Sequence, residues 1–413
     1  MSGPALHLFE AIGLELEYMI VDRRSLSVLP IADRVLAAVA GRVASEVEVG
    51  ALSWSNELVL HVIELKTNGP AGSLAGLGHE FHRHVQKINE ILRPMEGRLM
   101  PTACHPWMNP LTETVLWPHD DSSIYEAYDR IFGCRGHGWS NLQSTHINLP
   151  FKGDDEFAAL HAAIRVLLPI MPALTASSPA LDGVLTGFMD SRMEVYRRNS
   201  ALIPSVAGRI VPEPVTSRAD YEQDILRPMY ADIAPHDPAG VLQHEFLNSR
   251  GAIARFDRDT IEIRVLDVQE CPLADVAVAA LLAAVLKNLC RERWASITKI
   301  NGIATGPLAD IFLAVIRDAD ATMIDHPDYL EAFGLAGRVR LSARHIWQHL
   351  FESCLSDGGI DPQTAKPVEI ILEKGCLARR IVTALGKSAR REILYRVYAE
   401  LCDCLTGGRM FLM

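Results

Sequence analysis

Three things are missing from this chain: a membrane-length apolar run, a paired-cysteine framework and an excess of positive charge. The longest apolar run, VAVAALLAAVL at residues 276–286, has 11 residues, against about 20 needed to cross a bilayer. It reads as a buried helix opened by Asp275 and closed near Lys287. Eight cysteines are scattered over 413 residues without a CxxC pair. Cys402 and Cys404 stand too close together for a zinc knuckle, so free, reduced thiols are expected. Lys and Arg number 40 against 51 Asp and Glu, a formal net charge of −11, which argues against a nucleic-acid partner. The amino-terminal MSGPALHLFEAIGLELEY has no basic segment and no uninterrupted apolar stretch. No signal peptide and no membrane attachment are expected, and the protein reads as cytoplasmic. A glycine-rich phosphate loop is also missing. Gly386-Lys387-Ser388 would need a glycine at the position of Ile381, and no strand precedes it.

What is present fits a folded chain: 49% hydrophobic and 22% charged residues. Strands are expected at Ile12–Val21, 57–67 (ELVLHVIELKT), 143–151 (QSTHINLPF) and 260–267 (TIEIRVLD). Helices are expected at Asp33–Ala44, Leu74–Leu92 with a Ser73 cap, Ile124–Phe132 and Asp154–Leu174. The stripe Leu77, Phe81, Val85, Ile88 and Leu92 carries the second. Residues 100–120 are irregular. Residues 203–240 hold six prolines and read as a long loop region with short helices, expected to shape a ligand pocket. After Asp275 nearly everything is helical. The expected class is α+β, with a mainly antiparallel sheet covered by helices. The chain reads as a single domain, 1–413, with a mixed core at 1–275 and a helical extension at 276–413.

One device recurs in the strand segments. Glu15 and Glu17 lie in GLELEY, His146 and Asn148 in THINLPF, and Glu262 and Arg264 in TIEIRVLD. Residues two apart on a strand share a face. Each pair could equally mark an ordinary solvent-facing strand, but three such segments, with Glu64 in VIELKT, point to one polar sheet face. Charges gathered there are costly unless paired or bound to metal. A carboxylate-rich set with one histidine suits Mg²⁺ or Mn²⁺ better than zinc. An arginine beside a metal-binding glutamate suits phosphoryl transfer.

These segments, with ACHPW, ALTASSPALDG and GFMDSRMEVY, occur in an order that resembles glutamate–cysteine ligase family 2, the carboxylate–amine ligases of the glutamine-synthetase-like superfamily. A weaker echo follows at 373–381, EKGCLARRI. The resemblance implies a glutamine-synthetase-like catalytic fold with a metal-binding sheet face. It implies metal ligands at Glu15, Glu17, Glu64, His146 and Glu262, with Glu57 in place of a usual aspartate. Arg264 becomes a phosphate contact. Arg192 becomes a candidate for a substrate carboxylate or an acyl phosphate, with Asn148 and Tyr196 also binding substrate. Leu60 stands where the family often has a further glutamate.

The implied activity is ATP- and Mg²⁺-dependent amide formation through an acyl phosphate, with glutamate and cysteine as the default pair of small-molecule substrates. A kinase-like phosphotransferase acting on a carboxylate or guanidino compound, or a weakly catalytic metal- or nucleotide-binding regulator, stays open. So does assembly into a homo-oligomer. His79, His82 and His84 are expected on a solvated helix face, and Asp120-Asp121 and Asp154-Asp155-Glu156 in turns and helix starts. Tyr125, Tyr128 and Trp139 are expected to pack, with adenine stacking by one of them left open. Asp267, three residues past Arg264, is expected on the opposite face or beyond the strand, either capping or orienting Arg264 or serving a structural role. Cys271 lacks an activating base.

Overall fold

The computed structural model describes residues 6–120, 122–386 and 390–412. The period-two segments become strands of one antiparallel sheet. Its members are β1 (Gly13–Asp22), β2 (Glu46–Val49), β3 (Leu52–Asn56), β4 (Val62–Thr67), β5 (Gly97–Met100), β6 (Ser144–Pro150), β7 (Ala252–Arg255) and β8 (Thr260–Asp267). They run in the order β2-β3-β4-β1-β6-β8-β7, with β5 paired to the far end of β1.

One face of the sheet is apolar. Leu14, Leu16, Tyr18 and Ile20 of β1, Ile63 and Leu65 of β4, Ile147 of β6, and Ile261 and Ile263 of β8 are fully buried. They join one core with Phe81, Val85, Ile88 and Leu92 of the helix Leu77–Leu92, the stripe read from the sequence. The other face of β1 carries Glu15 and Glu17, then Met19 and Val21. The latter two pack with Leu377, Leu394 and Tyr398 of the helices Leu377–Leu385 and Arg391–Gly407. The tail helices therefore cover one end of this face and leave its acidic end open.

Several expected boundaries move, each for a local reason. Residues 57–61 are a turn, and the strand starts at Val62. Here Leu60 is buried in the core, and its carbonyl accepts from the Ala32 N–H. The helix expected to Ala44 ends at Ala40 because Gly41 turns left-handed at φ 71°. The residues thus freed lead into the β2–β3 hairpin, which the sequence pattern left unassigned. Ser73 does not cap the next helix. Its hydroxyl accepts from the Ala75 N–H, and the cap position is Gly76.

The 276–286 run is the middle of a 19-residue helix, Pro272–Cys290. Its length and composition would suffice for a membrane span. Here it packs between the helices Leu77–Leu92, Gly153–Leu167 and Pro362–Lys374. Residues 203–240 are not an open loop. Ile203, Val206, Ile210, Val211, Val215 and Tyr221 are buried in the core. Short helical segments run from Arg218 to Ile233. Lys387, Ser388 and Asp121 lie outside the described residues.

His161 gives this core a pH dependence. Both its ring nitrogens are buried without a hydrogen-bond partner, among Phe157 and Tyr221. Burial, then the charges of Arg165 and Arg250, push its pKa down to about 3. The unfolded chain, with an ordinary imidazole, binds the proton first. This contribution is therefore complete above pH ~6.5 and is lost as the pH falls below it. His161→Leu is expected to remove that term. Denaturant titrations should show wild type losing about 2 kcal/mol more than the variant between pH 7 and pH 5. Parallel losses would contradict this.

Candidate active site

Strand register assembles the polar face. Glu17 stands opposite Glu64, and Glu15 lies between Lys66 and His146. Gly13 opposes Asn148, which in turn opposes Glu262, and Ser55 opposes Glu64. Directly paired residues on antiparallel strands point to the same side, so five strands, β3, β4, β1, β6 and β8, contribute to one cluster. A cavity of about 510 Å³ opens over it. Glu15, Glu17, Glu57, Glu64, His146, Arg192, Tyr196, Glu262 and Arg264 all line this cavity.

Two sets of ligand atoms lie within 4.8 Å of one another: Glu15, His146 and Glu262, and Glu17, Glu64 and His146. His146 is common to both. Its Nδ1 is 3.0 Å from Glu15 Oε2, and its Nε2 is 2.9 Å from Ser144 Oγ. The Ser144 hydroxyl and backbone N–H both donate to Glu17 Oε2, at 2.9 and 2.7 Å. Asn148 does not line the cavity. Its amide donates to Glu15 Oε1 at 3.0 Å, so it orients a ligand candidate from the same sheet face. Ser55 Oγ donates to Glu64 Oε2 at 2.6 Å. Glu57 sits on the turn before β4 and belongs to neither set, though it lines the same cavity. Leu60, where the family's further glutamate would fall, is in the core and off the cavity wall.

The electrostatics are those of a crowded anionic site. Burial raises Glu64, and the charge of Glu15 adds to it, to about 8. Burial and the charges of Glu17, Glu64 and Glu15 likewise push Glu57 well up. Burial also opposes the charge on Glu15, but the hydrogen bond and charge of His146, with Lys66, outweigh it and hold Glu15 at about 2. Burial favours neutral His146. The Glu15 hydrogen bond and the charges of Glu17 and Glu262 win there and raise its pKa. Arg264 Nε lies 2.8 Å from Glu262 Oε1, and Arg255 Nη1 lies 3.5 Å from Glu262 Oε2.

The rest of the wall was read only in part from the sequence. Tyr125, Tyr128 and Trp139 face the cavity as well as packing. The Tyr128 and Trp139 ring centroids are 5.2 Å apart, and Trp139 Nε1–H donates to the Asn199 carbonyl at 3.2 Å. No residue of 203–240 lines this cavity. Two missed members had a signal: Ser144 precedes His146 by two, and Lys66 follows Glu64 by two. Arg255 had none, because an edge strand of four residues carries no period.

Asp267 is a correction. It lies on the site face and pairs with Arg192, Nε to Oδ1 2.6 Å, rather than with Arg264. The three histidines of the helix Leu77–Leu92 do not share one solvated face. His79 is exposed, whereas His84 is buried and accepts from Trp54 Nε1–H at 2.8 Å. Arg380, in the carboxy-terminal echo of the motif, is buried on Glu270, away from the cavity.

The profile of glutamate–cysteine ligase family 2 matches residues 11–302, every strand and site element described above. The chain belongs to this family. Members are ligases that form C–N bonds, and this chain is a carboxylate–amine ligase of glutamate–cysteine ligase family 2. An uncharacterized protein of Archaeoglobus fulgidus is 32% identical over 403 residues, 97% of this chain and 100% of that one. A protein of Ruegeria pomeroyi provisionally named glutamate–cysteine ligase 2 is 24% identical over 296 residues, 71% of this chain and 69% of that one. Among solved structures, the glutamate–cysteine ligase of Francisella tularensis in complex with AMP superposes with a TM-score of 0.61 at 12% identity, covering 95% of this chain and 88% of that one. A bifunctional glutathione synthetase from Pasteurella multocida gives 0.62 at 13%, covering 97% of this chain and 53% of that one. The fold of this family 2 ligase is thus that of glutamate–cysteine ligases.

Proposed function

We propose that this family 2 ligase uses ATP and Mg²⁺ or Mn²⁺ to activate a carboxylic acid as an acyl phosphate, then joins it to an amine. Glutamate and cysteine are the default pair. The observation that carries this reading is the pair of overlapping donor sets, Glu15–His146–Glu262 and Glu17–Glu64–His146, beside Arg264. Carboxylate oxygens with a single imidazole are hard donors that fit such cations. The site also has a deficit that a cation would fill, since Glu64 and Glu57 are driven toward neutrality only by burial and their anionic neighbours. A bound divalent cation would neutralise phosphate oxygens during transfer.

The chain's own groups supply the rest. Glu15, Glu17, Glu64, His146 and Glu262 would hold the cation, with the imidazole of His146 ligating in its neutral form. Arg264, kept beside Glu262, offers its guanidinium to the transferring phosphoryl group. Arg192 and Tyr196 face the acid. The acid's carboxylate oxygen takes the γ-phosphoryl group as the bond to ADP breaks. The amine nitrogen then bonds to the acyl carbon, the C–O bond to phosphate breaks, and the amine loses a proton. A free carboxylate would leave as oxide, so the phosphate makes the substitution feasible. Alignment and charge neutralisation suffice, with no nucleophilic side chain.

The test is ADP release from Mg-ATP over a panel of acids and amines. Release should require both, and release indifferent to the amine would overturn the reading. The supports of the donor sets should matter as well. Ser144→Ala, which removes the hydroxyl between Glu17 and His146, is expected to weaken Mn²⁺ binding about 10- to 100-fold. Calorimetric titration checks this, and a change under twofold would contradict it.

A further inference from the structure

Strand β8 pairs with β6 in register from Thr260↔Pro150 to Ile263↔Ile147, slips, and resumes at Leu266↔Thr145. Arg264 and Val265 therefore share His146 as their only counterpart. This is a β-bulge, which re-aims the residues after it. By simple alternation Asp267 would fall on the core face with Ile261 and Ile263. The extra residue returns it to the site face, opposite Ser144.

There its carboxylate is 1% exposed and fully used. Oδ2 accepts from the Ser177 N–H and the Ser178 hydroxyl, both at 2.8 Å. Oδ1 accepts from Arg192 Nε at 2.6 Å. A second Arg192 nitrogen, Nη2, donates to the carbonyl of Arg264, in the bulge itself, at 3.2 Å. The Arg192 backbone N–H donates to Ser178 Oγ at 3.1 Å, closing the ring of contacts. Arg192 is thus gripped on two of its three guanidinium nitrogens by the bulged strand, and it still lines the cavity. This grip removes the rotamer freedom of a long arginine side chain before any ligand arrives.

We infer that Asp267, delivered to the site face by the bulge, is the positioning residue for Arg192. The bulge thereby fixes Arg192, which recognises the carboxylate of the acid substrate, against the backbone of Arg264. This rests on the proposed ligase reading, in which Arg192 faces the acid. Asp267 itself touches no substrate.

Asp267→Asn keeps the volume and removes the charge. In the full-length enzyme it is expected to raise KM for the acid at least tenfold while KM for Mg-ATP stays within twofold. Because Asp267 acts through Arg192, the Asp267→Asn/Arg192→Lys double variant should be no worse than Arg192→Lys alone, within twofold. A merely structural role predicts that both KM values move together and that the two effects multiply; either result overturns the inference. If Asp267→Asn does not fold, Ser178→Ala, which loosens the same carboxylate, should show the same asymmetry at about threefold.

A readout without turnover separates this inference from the ligase reading. The Arg192 ¹⁵Nε–H resonance, assigned by its loss in Arg192→Lys, should be protected from exchange in wild type, shift when glutamate is added, and lose protection in Asp267→Asn. A protected, glutamate-responsive resonance in an enzyme without amine-dependent turnover would uphold the positioning and defeat the ligase reading. An unprotected resonance in wild type would overturn the positioning.

Discussion

Replacing Arg264 with lysine should lower kcat by about 10³-fold, the scale at which a single transition-state arginine acts in phosphoryl transfer. The charge survives in lysine, but the planar fork does not. Arg264 reaches Glu262 through Nε at 2.8 Å and the Asn248 carbonyl through Nη1 at 3.4 Å, so its remaining donors are aimed by contacts a lysine cannot copy. KM for Mg-ATP should change far less than kcat, because the contact strengthens as charge develops on the transferring group. Steady-state kinetics on the folded variant check this. A loss under tenfold would remove Arg264 from the phosphoryl-transfer step.

The second large effect is expected at Glu262. Glu262→Gln is nearly isosteric, yet it takes an anionic donor from the set with Glu15 and His146 and leaves Arg264 and Arg255 without their shared carboxylate. Turnover at fixed Mg²⁺ should fall by about 10²- to 10³-fold. The two variants should then respond differently to metal. Raising Mn²⁺ should recover part of the Glu262→Gln loss, since the defect is affinity, and none of the Arg264→Lys loss. Equal recovery in both, or in neither, would mean that Glu262 is not a cation ligand.

The contrast between these residues and their surroundings explains what the sequence could tell. β1 and β8 were legible because alternation of glutamate with leucine or isoleucine states both the strand and its polar face. Their joint placement was legible only through the family resemblance, since no local pattern says that β1 lies between β4 and β6. The β2–β3 hairpin went unread because its strands, of four and five residues, are too short to carry a period, and the expected helix ran past its true stop at the left-handed Gly41. Asp267 was assigned to the wrong face because alternation counts residues and a bulge inserts one. That insertion depends on pairing with β6, which is tertiary information. The aromatic wall was read as packing because Tyr128 and Trp139 do pack on each other; that one side of the pair borders a cavity depends on how the chain from 124 to 142 lies over the sheet. Residues 203–240 looked like a loop because prolines obscure periodicity, while the burial of Ile203, Val206 and Tyr221 comes from distant partners.

The central claim is that the acid is activated by phosphorylation, and oxygen tracking tests it most directly. When the acid substrate carries ¹⁸O in its carboxylate, the acyl phosphate keeps one of those atoms in the bridging position, and amine attack expels it with the phosphate. Mass spectrometry of the phosphate released from Mg-ATP, acid and amine should find one ¹⁸O per phosphate, matched by one amide formed. Phosphate free of ¹⁸O, released whether or not the amine is present, would contradict it.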